Sequence, residues 1–179
     1  DDKVAMSKYF MRPGFAFGGS CLPKDVRALR HLAGSLGVTA HMLDAVTEAN
    51  EAQIRRAEDM VAASGATKVG FVGISFKPGT DDLRESPLAE LAARLIAKGV
   101  GVDIYDPYVY EAYAANNSTA GRGNDVIPDL KSRMVADLDA LIGTSGAILV
   151  GNYYKDTVGT LEKAAQSRPV VDLTRMNRK

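Results

Sequence analysis

Apolar side chains recur at three- and four-residue intervals through the first third of the chain, a spacing that predicts helices with one buried face. A first helix is expected directly after the loop at residues 9–23, with Ser20 or Cys21 as its cap and Pro23 in its first turn. A second helix is expected over about 40–62, with Asn50 as the polar exception in its apolar stripe. The predicted buried faces are Val26, Leu29, Ala33 and Leu36 on the first helix and Leu43, Val46, Ile54, Ala57 and Val61 on the second.

After residue 67 the pattern changes, because short apolar runs alternate with helical stretches. Ser86 and Pro87 are expected to open a helix that Gly99 ends. Strands are predicted at 69–76, 100–105, 134–138, 147–150 and 169–173, helices at 138–142 and 157–166, and a mixture of helix and loop at 111–129. This alternation predicts a parallel sheet with crossover helices. The expected class is therefore α/β, with a helical part at residues 1–65 and a sheet part at residues 66–179.

Composition and charge narrow the class of protein. The chain is 46% hydrophobic and 25% charged, which is typical of a globular protein. Its 22 basic and 22 acidic residues cancel, so charge gives no reason to expect nucleic acid or an anionic membrane as partner. No apolar run could span a bilayer, the charged first residues start no signal peptide, and a single cysteine forms no internal disulfide. We therefore expect a cytoplasmic protein, and a fragment, since the chain opens without methionine.

Cys21 is the first candidate for chemistry, because it lies between a glycine pair and a predicted helix start. Backbone N–H groups and the positive end of the helix dipole favour a thiolate there, and Lys24 adds positive charge. Asp25, four residues after Cys21, falls on the same helix face and is placed to orient a water or a cationic partner. The alternative is a small buried cysteine without reactivity. The neighbouring glycines, which let a ligand approach the backbone, favour the reactive interpretation.

A second candidate is the loop at residues 76–85, which follows the first predicted strand of the sheet. Ligands of open α/β sheets bind beyond the carboxyl ends of strands, and Lys77 and Arg84 are donors suited to phosphate. The alternative is a surface loop whose acidic residues neutralise these two cations in internal salt bridges. Arg12 in the first loop is a further candidate for binding phosphate or carboxylate, with an ordinary exposed arginine as the alternative.

Two other kinds of site are not indicated. Gly70 and Gly73 at the first predicted strand lack the spacing of a dinucleotide fingerprint, and the chain contains no P-loop. His31 and His41 lie in helical stretches without companion ligands, so no metal site is predicted.

Two long motifs, FMRPGFAFGGSCLPKD at residues 10–25 and GISFKPGTDDLRESP at residues 73–87, resemble those of the UDP-glucose/GDP-mannose dehydrogenase family. The resemblance covers nearly the whole chain, from the end of the family's helical central domain through its Rossmann-like, nucleotide-sugar-binding C-terminal domain. It implies an NAD-dependent, two-step oxidation of a sugar C6 alcohol to a carboxylate through a covalent adduct on Cys21. The first motif resembles members that use GDP-mannose more than those that use UDP-glucose, whose loop is closer to GxGFGGSC.

The resemblance also implies roles for particular residues. Asp25 would assist the handling of water or protons, and Lys24 would lie near the cofactor NAD. The implied substrate contacts are Arg12, Phe15 and Gly18 in the first motif, partly across a dimer, and Phe76, Lys77 and Arg84 in the second. A homodimer paired through the long helix at about 40–62 is implied as well.

The chain departs from the family in what it lacks. The NAD-binding domain is absent, as are the lysine and asparagine that stabilise the oxyanion and alkoxide, so this chain alone is not expected to catalyse the oxidation. Asp172 is followed by Leu173, Thr174 and Arg175, where UDP-glucose enzymes carry Asp-x-Arg-Asn, which disfavours UDP-glucose. Three alternatives remain: a UDP-sugar 6-dehydrogenase, a non-catalytic nucleotide-sugar binding or dimerisation module, and an unrelated thiol-dependent enzyme on an α/β scaffold.

Overall fold

The computed structural model describes residues 14–114 and 126–174, which form two helices followed by a four-stranded sheet with further helices. The elements are α1 (Leu22–Ser35), α2 (His41–Ala63), β1 (Lys68–Val72), α3 (Pro87–Ala97), β2 (Gly101–Tyr105), α4 (Pro107–Ala114), α5 (Leu130–Arg133), α6 (Leu138–Thr144), β3 (Ala147–Val150), α7 (Val158–Ala164) and β4 (Val170–Asp172). Arg12 and part of the predicted helix-and-loop stretch lie outside the described residues. Within these two ranges, no helix combines the length and the apolar character needed to cross a membrane.

The sheet is parallel throughout, and its strands lie in the order β2-β1-β3-β4. The central strand β1 pairs with β2 on one side, where Val69 faces Val102, and with β3 on the other, where Phe71 faces Leu149. In open α/β sheets, ligands bind beyond the carboxyl ends of strands at the point where successive connections diverge. Such a point lies at the end of β1, because β2 follows on one side of this strand and β3 pairs with it on the other. The predicted class, a helical first part followed by a Rossmann-like parallel sheet, is confirmed.

Helix α3 forms as the sequence predicts. The Ser86 side chain caps it by accepting a hydrogen bond from the Ala89 N–H, and proline follows in the first turn, where a missing N–H costs little. Its Leu88, Leu91 and Leu95 are buried in the same apolar cluster as the strands β1 and β2. The helix therefore covers one face of the sheet, beside the segment that leaves β1.

The second half of α2 packs against the sheet part of the chain. Ile54, Ala57 and Val61 are buried in the cluster that also contains α3 and the central strands. On the same side, Arg94 of α3 donates two hydrogen bonds to the Glu51 carboxylate, at 2.6 and 2.7 Å. Apolar and ionic contacts together fix the position of α2 relative to the sheet. The loop before α1, which is bonded to α2 through Asn50, is fixed with it.

The face predicted to be buried on α1 is instead largely exposed. Leu29 and Leu36 are 52% and 69% exposed, Val26 and Ala33 are half-buried, and Val46 on α2 is 41% exposed. The spacing of apolar residues identifies an amphipathic helix correctly, but it does not say which part of a protein covers the apolar face. Within the described ranges, the rest of the chain does not bury this side of α1.

Two predicted strands differ from the structure. The strand predicted at 69–76 ends earlier, because Gly73 adopts φ +83 and turns the chain out of the sheet. The strand predicted at 134–138 does not form. Met134 makes one isolated bridge to Ile104 instead, and a helix begins four residues later.

Candidate functional site

Cys21 lies at the junction of the first loop and α1, where it is exposed to solvent. It occupies the cap position, but its side chain makes no capping hydrogen bond to the described helix. Its carbonyl accepts a hydrogen bond from the Asp25 N–H at 2.9 Å, and its Sγ lies 3.8 Å from Ser20 Oγ. The sulfur is therefore at the amino end of a helix, where an anion is favoured. Cys21 is therefore not the small buried cysteine of the alternative interpretation, and its reactivity stays a prediction.

Lys24 and Asp25 form an ion pair with each other in the first turn of α1. The Lys24 Nζ lies 3.2 Å from Asp25 Oδ1, and the side chains are 65% and 61% exposed. Exposed pairs of this kind contribute little stability, so a bound ligand could redirect either charge at small cost. Their roles toward the cofactor and toward water stay predictions.

The loop that carries Cys21 is held on one side by α2. Asn50 Oδ1 accepts a hydrogen bond from the Phe17 N–H at 2.8 Å, and Asn50 Nδ2 donates one to the Phe17 carbonyl at 3.0 Å. A single side-chain amide thus satisfies both main-chain groups of a loop residue. These two hydrogen bonds explain why a polar residue, Asn50, interrupts the apolar stripe predicted on α2. The predicted substrate contact Phe15 lies beside it, in a small cavity of about 400 Å³ that Val46 also lines.

On its other side, the cysteine loop touches the segment at residues 76–85. A Cβ on Gly18 would lie 2.2 Å from the Glu85 carbonyl oxygen. Gly19 adopts φ +84, and a Cβ there would lie 2.7 Å from the Phe76 ring. Only glycine permits such a close approach and such a backbone conformation. The structure therefore brings the two predicted motifs together, with Gly18 and Phe76 at their contact.

Charged side chains reinforce this contact. Arg27 of α1 donates two hydrogen bonds to the Glu85 carboxylate, at 2.7 and 2.6 Å. Arg84 pairs with Asp82 at 2.6 Å, so the alternative of an internal salt bridge in this loop is correct for Arg84. The hydrogen bond with Asp82, together with the negative charge of that carboxylate, raises the pKa of Arg84.

A cleft of about 720 Å³ lies between α1, α2 and the start of α3. Its lining includes Ser20, next to the cysteine, and four cationic side chains, Lys24, Arg27, Arg30 and Arg84. Each of these cations is paired with a carboxylate: Lys24 with Asp25, Arg27 with Glu85, Arg30 with Asp44 and Arg84 with Asp82. A volume of this size suits a small-molecule ligand, and a phosphate group in the cleft would have to displace one of these carboxylates.

The main chain of the second motif is held by a buried carboxylate that the sequence did not indicate. Asp106 is fully buried, and its Oδ2 accepts hydrogen bonds from the N–H groups of Ile74 at 3.0 Å and Ser75 at 3.4 Å. Burial raises the pKa of Asp106, while these N–H groups act in the opposite direction. Burial, and then the negative charge of Asp106, raises the pKa of Tyr154 nearby. The available signal was position, since Asp106 directly follows a predicted strand.

The described residues form neither a metal cluster nor a dinucleotide turn. No group of three or more His, Cys, Asp or Glu side chains within residues 14–114 and 126–174 could hold a metal ion. In dinucleotide-binding folds a glycine-rich turn after the first strand holds the pyrophosphate. Here Gly70 and Gly73 lack the spacing of that glycine fingerprint, and Gly73 packs closely on Asn152, whose Cβ would lie 2.3 Å from a Cβ on Gly73. Lys24 is the residue of this chain predicted to approach the cofactor.

Family models match both halves of the chain. Residues 70–177 match the UDP-glucose/GDP-mannose dehydrogenase family, UDP binding domain, and residues 1–52 match the central domain of the same family. These matches include the second and the first motif, respectively. The chain belongs to the UDP-glucose/GDP-mannose dehydrogenase family.

Individual relatives are similar over the whole chain. A GDP-mannose 6-dehydrogenase of Pseudomonas syringae pv. syringae is 46% identical over 175 residues, which are 97% of this chain and 39% of that protein. The crystal structure of a ternary complex of GDP-mannose dehydrogenase from Pseudomonas aeruginosa has a TM-score of 0.88 at 43% identity, covering 100% of this chain and 41% of that one. A UDP-glucose dehydrogenase from the archaeon Pyrobaculum islandicum has a TM-score of 0.72 at 29% identity, covering 98% and 38%. The chain therefore spans about two fifths of the length of these relatives.

Proposed function

We propose that this chain is part of an NAD-dependent nucleotide-sugar 6-dehydrogenase that oxidises GDP-mannose to GDP-mannuronate. The contact of Gly18 and Gly19 with the segment at 76–85 carries the proposal. It brings Cys21 beside the loop that is predicted to bind the nucleotide sugar. The higher identity to GDP-mannose 6-dehydrogenases than to a UDP-glucose dehydrogenase supports GDP-mannose as the substrate.

The proposed chemistry uses Cys21 as a nucleophile. The C6 alcohol first loses a hydride and a proton and becomes an aldehyde. The Cys21 thiolate then adds to the aldehyde carbon, and loss of a second hydride converts the adduct into a thioester. Attack by water breaks the carbon–sulfur bond, which releases the carboxylate and regenerates the thiol. NAD supplies the hydride acceptor for both oxidations when it is bound.

The proposed roles of the other residues follow the two motifs that contain them. Asp25 handles protons or water next to the sulfur, and Lys24 approaches the cofactor. The substrate contacts are Arg12, Phe15 and Gly18 from the first motif and Phe76, Lys77 and Arg84 from the second. The lining of one cleft by Lys24 and Arg84 supports this assignment.

Three further predictions accompany the proposal. We retain a division into a central-domain part at residues 1–65 and a nucleotide-sugar-binding part at residues 66–179. We also retain a homodimer paired through α2, and a cytoplasmic location. Because the described turn after β1 lacks the spacing of a dinucleotide fingerprint, we expect oxidation only from a protein that also carries an NAD-binding domain.

Turnover of the longer protein with two substrates tests the proposal. The protein is given GDP-mannose or UDP-glucose, and NADH is measured against the amount of sugar consumed. We compare Cys21→Ala with Ser35→Ala, a control that removes one side-chain atom from an exposed residue at the other end of α1. We expect two NADH per GDP-mannose from the unsubstituted protein and from Ser35→Ala, and loss of the second oxidation in Cys21→Ala.

Each other outcome changes a different part of the proposal. Turnover of UDP-glucose alone would retain the chemistry and refute the substrate. Two NADH per sugar from Cys21→Ala would refute the covalent role of the cysteine. Absence of turnover with either sugar, in protein that still binds a nucleotide, would favour a non-catalytic binding module.

A further inference from the structure

Three buried polar side chains meet beneath the segment that carries Phe76 and Lys77. Ser75 follows β1, Asp106 follows β2, and Asn152 follows β3, so each comes from the carboxyl end of a different strand. Ser75 and Asp106 are 0% exposed, and Asn152 is 3% exposed. Buried polar groups are costly unless they are hydrogen-bonded, so their partners indicate what the cluster does.

Asn152 and Ser75 bond to the second motif, and Asp106 joins that motif to the start of α4, because its Oδ1 also accepts the N–H groups of Tyr108 and Val109 at 3.2 Å each. Asn152 Nδ2 donates to the Ser75 carbonyl at 3.1 Å and to Ser75 Oγ at 2.9 Å. Ser75 Oγ in turn donates to the Lys77 carbonyl at 3.0 Å. Asp106 accepts the N–H groups of Ile74 and Ser75 from the opposite side. No neighbouring strand among the described residues holds the main chain from Ile74 to Lys77. These side chains hold it, together with one main-chain hydrogen bond within the loop, from the Phe76 N–H to the Asp82 carbonyl at 3.1 Å.

Asn152 has little freedom to move away from this segment. Its Cβ would lie 2.3 Å from a Cβ placed on Gly73, so the absence of a side chain at Gly73 makes the contact possible. Gly151, the residue before it, approaches the Gly73 carbonyl oxygen in the same way, at 2.8 Å from a Cβ. Asn152 is therefore fixed by main-chain packing before it makes its hydrogen bonds.

We propose that Asn152 and Ser75 are positioning residues, which set the affinity for the nucleotide by fixing the main chain under Phe76 and Lys77. This inference rests on the proposed function, because it takes Phe76 and Lys77 as nucleotide-sugar contacts. Neither Asn152 nor Ser75 reaches the ligand, since both are buried beneath the segment. Their main effect is expected on nucleotide binding, because the main chain that they hold carries Phe76 and Lys77.

Removal of single hydrogen bonds in the longer protein tests this inference. Ser75→Ala deletes the donor to the Lys77 carbonyl, and Asn152→Asp replaces the donor to Ser75 by a carboxylate of similar shape. Ser145→Ala is the matched control, because Ser145 is also a buried serine whose Oγ donates to a main-chain carbonyl, at 2.7 Å, but at the opposite end of the sheet. GDP and UDP are titrated separately by calorimetry, and KM, kcat and Tm are measured for the same proteins.

We expect a selective loss of affinity. The Kd for the bound nucleotide should rise about five- to tenfold in Ser75→Ala, which corresponds to loss of one net hydrogen bond, and further in Asn152→Asp. KM should rise in parallel, with a smaller change in kcat. Ser145→Ala should lower Tm as much as Ser75→Ala does and leave the Kd unchanged. Without ligand, the Phe76 amide should exchange its hydrogen faster in Ser75→Ala than in Ser145→Ala.

The results separate this inference from the function on which it rests. If the unsubstituted protein binds a nucleotide and Ser75→Ala binds it equally well, the inference fails and the proposed function stands. An equal rise in Kd for Ser75→Ala and Ser145→Ala would also overturn the inference, since it would show general destabilisation. If the unsubstituted protein binds neither GDP nor UDP, the proposed function itself is refuted.

Discussion

Arg27 and Glu85 form two hydrogen bonds, of 2.7 and 2.6 Å, between residues that are 58 positions apart in the sequence. Arg27 lies on the helix that begins at Cys21, and Glu85 lies at the end of the second motif with φ +48. The hydrogen bond with Arg27 lowers the pKa of Glu85. This ion pair therefore connects the helix of the proposed nucleophile to the loop proposed to bind the nucleotide sugar.

Reversing the charge of either partner should weaken the function of the longer protein. Arg27→Glu and Glu85→Arg each place like charges together, and we expect each to lower kcat/KM for GDP-mannose a few-fold while changing Tm little, because the pair is exposed. The double variant restores opposite charges and should recover part of the loss. The control is the same exchange of charges between Lys68 on β1 and Asp103 on β2, whose Nζ and Oδ2 atoms lie 2.7 Å apart. Equal losses in both pairs would contradict a specific role for Arg27 and Glu85.

The two glycines of the cysteine loop with ordinary backbone angles should respond differently to alanine. In Gly18→Ala the new Cβ meets the Glu85 carbonyl oxygen at 2.2 Å and Pro87 Cδ at 2.6 Å, so we expect a loss of about 1–3 kcal/mol in the free energy of unfolding. Gly14→Ala is the control, because no atom lies within 4 Å of its Cβ. We expect a change of about 0.5 kcal/mol or less for Gly14→Ala. Urea titration of the chain measures both, and similar values would show that the two motifs do not pack as closely as described.

Asn50→Asp should loosen the loop from α2. The carboxylate keeps the acceptor for the Phe17 N–H but loses the donor to the Phe17 carbonyl, and it sets two oxygen atoms against each other. We expect a loss of about 1–3 kcal/mol in the free energy of unfolding near neutral pH. Gln53→Glu, an equivalent amide-to-acid change at an exposed position of the same helix, serves as control. A larger loss in Gln53→Glu than in Asn50→Asp would contradict this account.

The ion pair between Glu51 and Arg94 should make stability depend on pH. The hydrogen bond from Arg94 lowers the pKa of Glu51 below its ordinary value of 4.5, although burial acts in the opposite direction. Because the pKa is lowered in the folded state, the stabilisation is complete above that ordinary value and is lost as the pH falls through the lowered pKa. We expect Glu51→Gln to cost about 1 kcal/mol near neutral pH.

The difference between Glu51→Gln and the unsubstituted chain should then shrink as the pH falls below 4.5. Denaturant titrations at a series of pH values measure this directly. Glu48→Gln, at an exposed position of the same helix, is the control and should show a small effect throughout. A difference that grows with acidification would refute the assigned sign.

Local sequence signals predicted much of the architecture. Helix α3 follows from a serine cap, a proline and three leucines at helical spacing, and the bounds of β3 agree with its apolar run. These features are determined within a few residues, so neighbouring positions carry the information. The exposed face of α1 was predicted wrongly because burial of Leu29 and Leu36 depends on what packs against them, which periodicity cannot reveal.

The site was predictable only in part, for a similar reason. Cys21 and Arg84 were identifiable from residue type and motif, and the structure brings their loops together. Asp106 and Asn152 were not identified, because their partners come from other strands. Nothing within a few residues of either position indicates that they hold the chain near Ser75. Both residues closely follow a strand, which suggests a place near the ligand-binding edge of the sheet. That place does not reveal which main-chain groups they bind.

The contact between the two motifs also determines the order in which the molecule can fold. Arg27 and Glu85 are separated by 58 residues, and closing a segment of that length costs conformational entropy before any contact compensates for it. We expect the cysteine loop to reach its native geometry after the sheet has assembled, because the segment that carries Glu85 follows the strand β1. On partial unfolding the same loop should detach first, so Cys21 should lose its place beside the segment at residues 76–85 before the sheet unfolds.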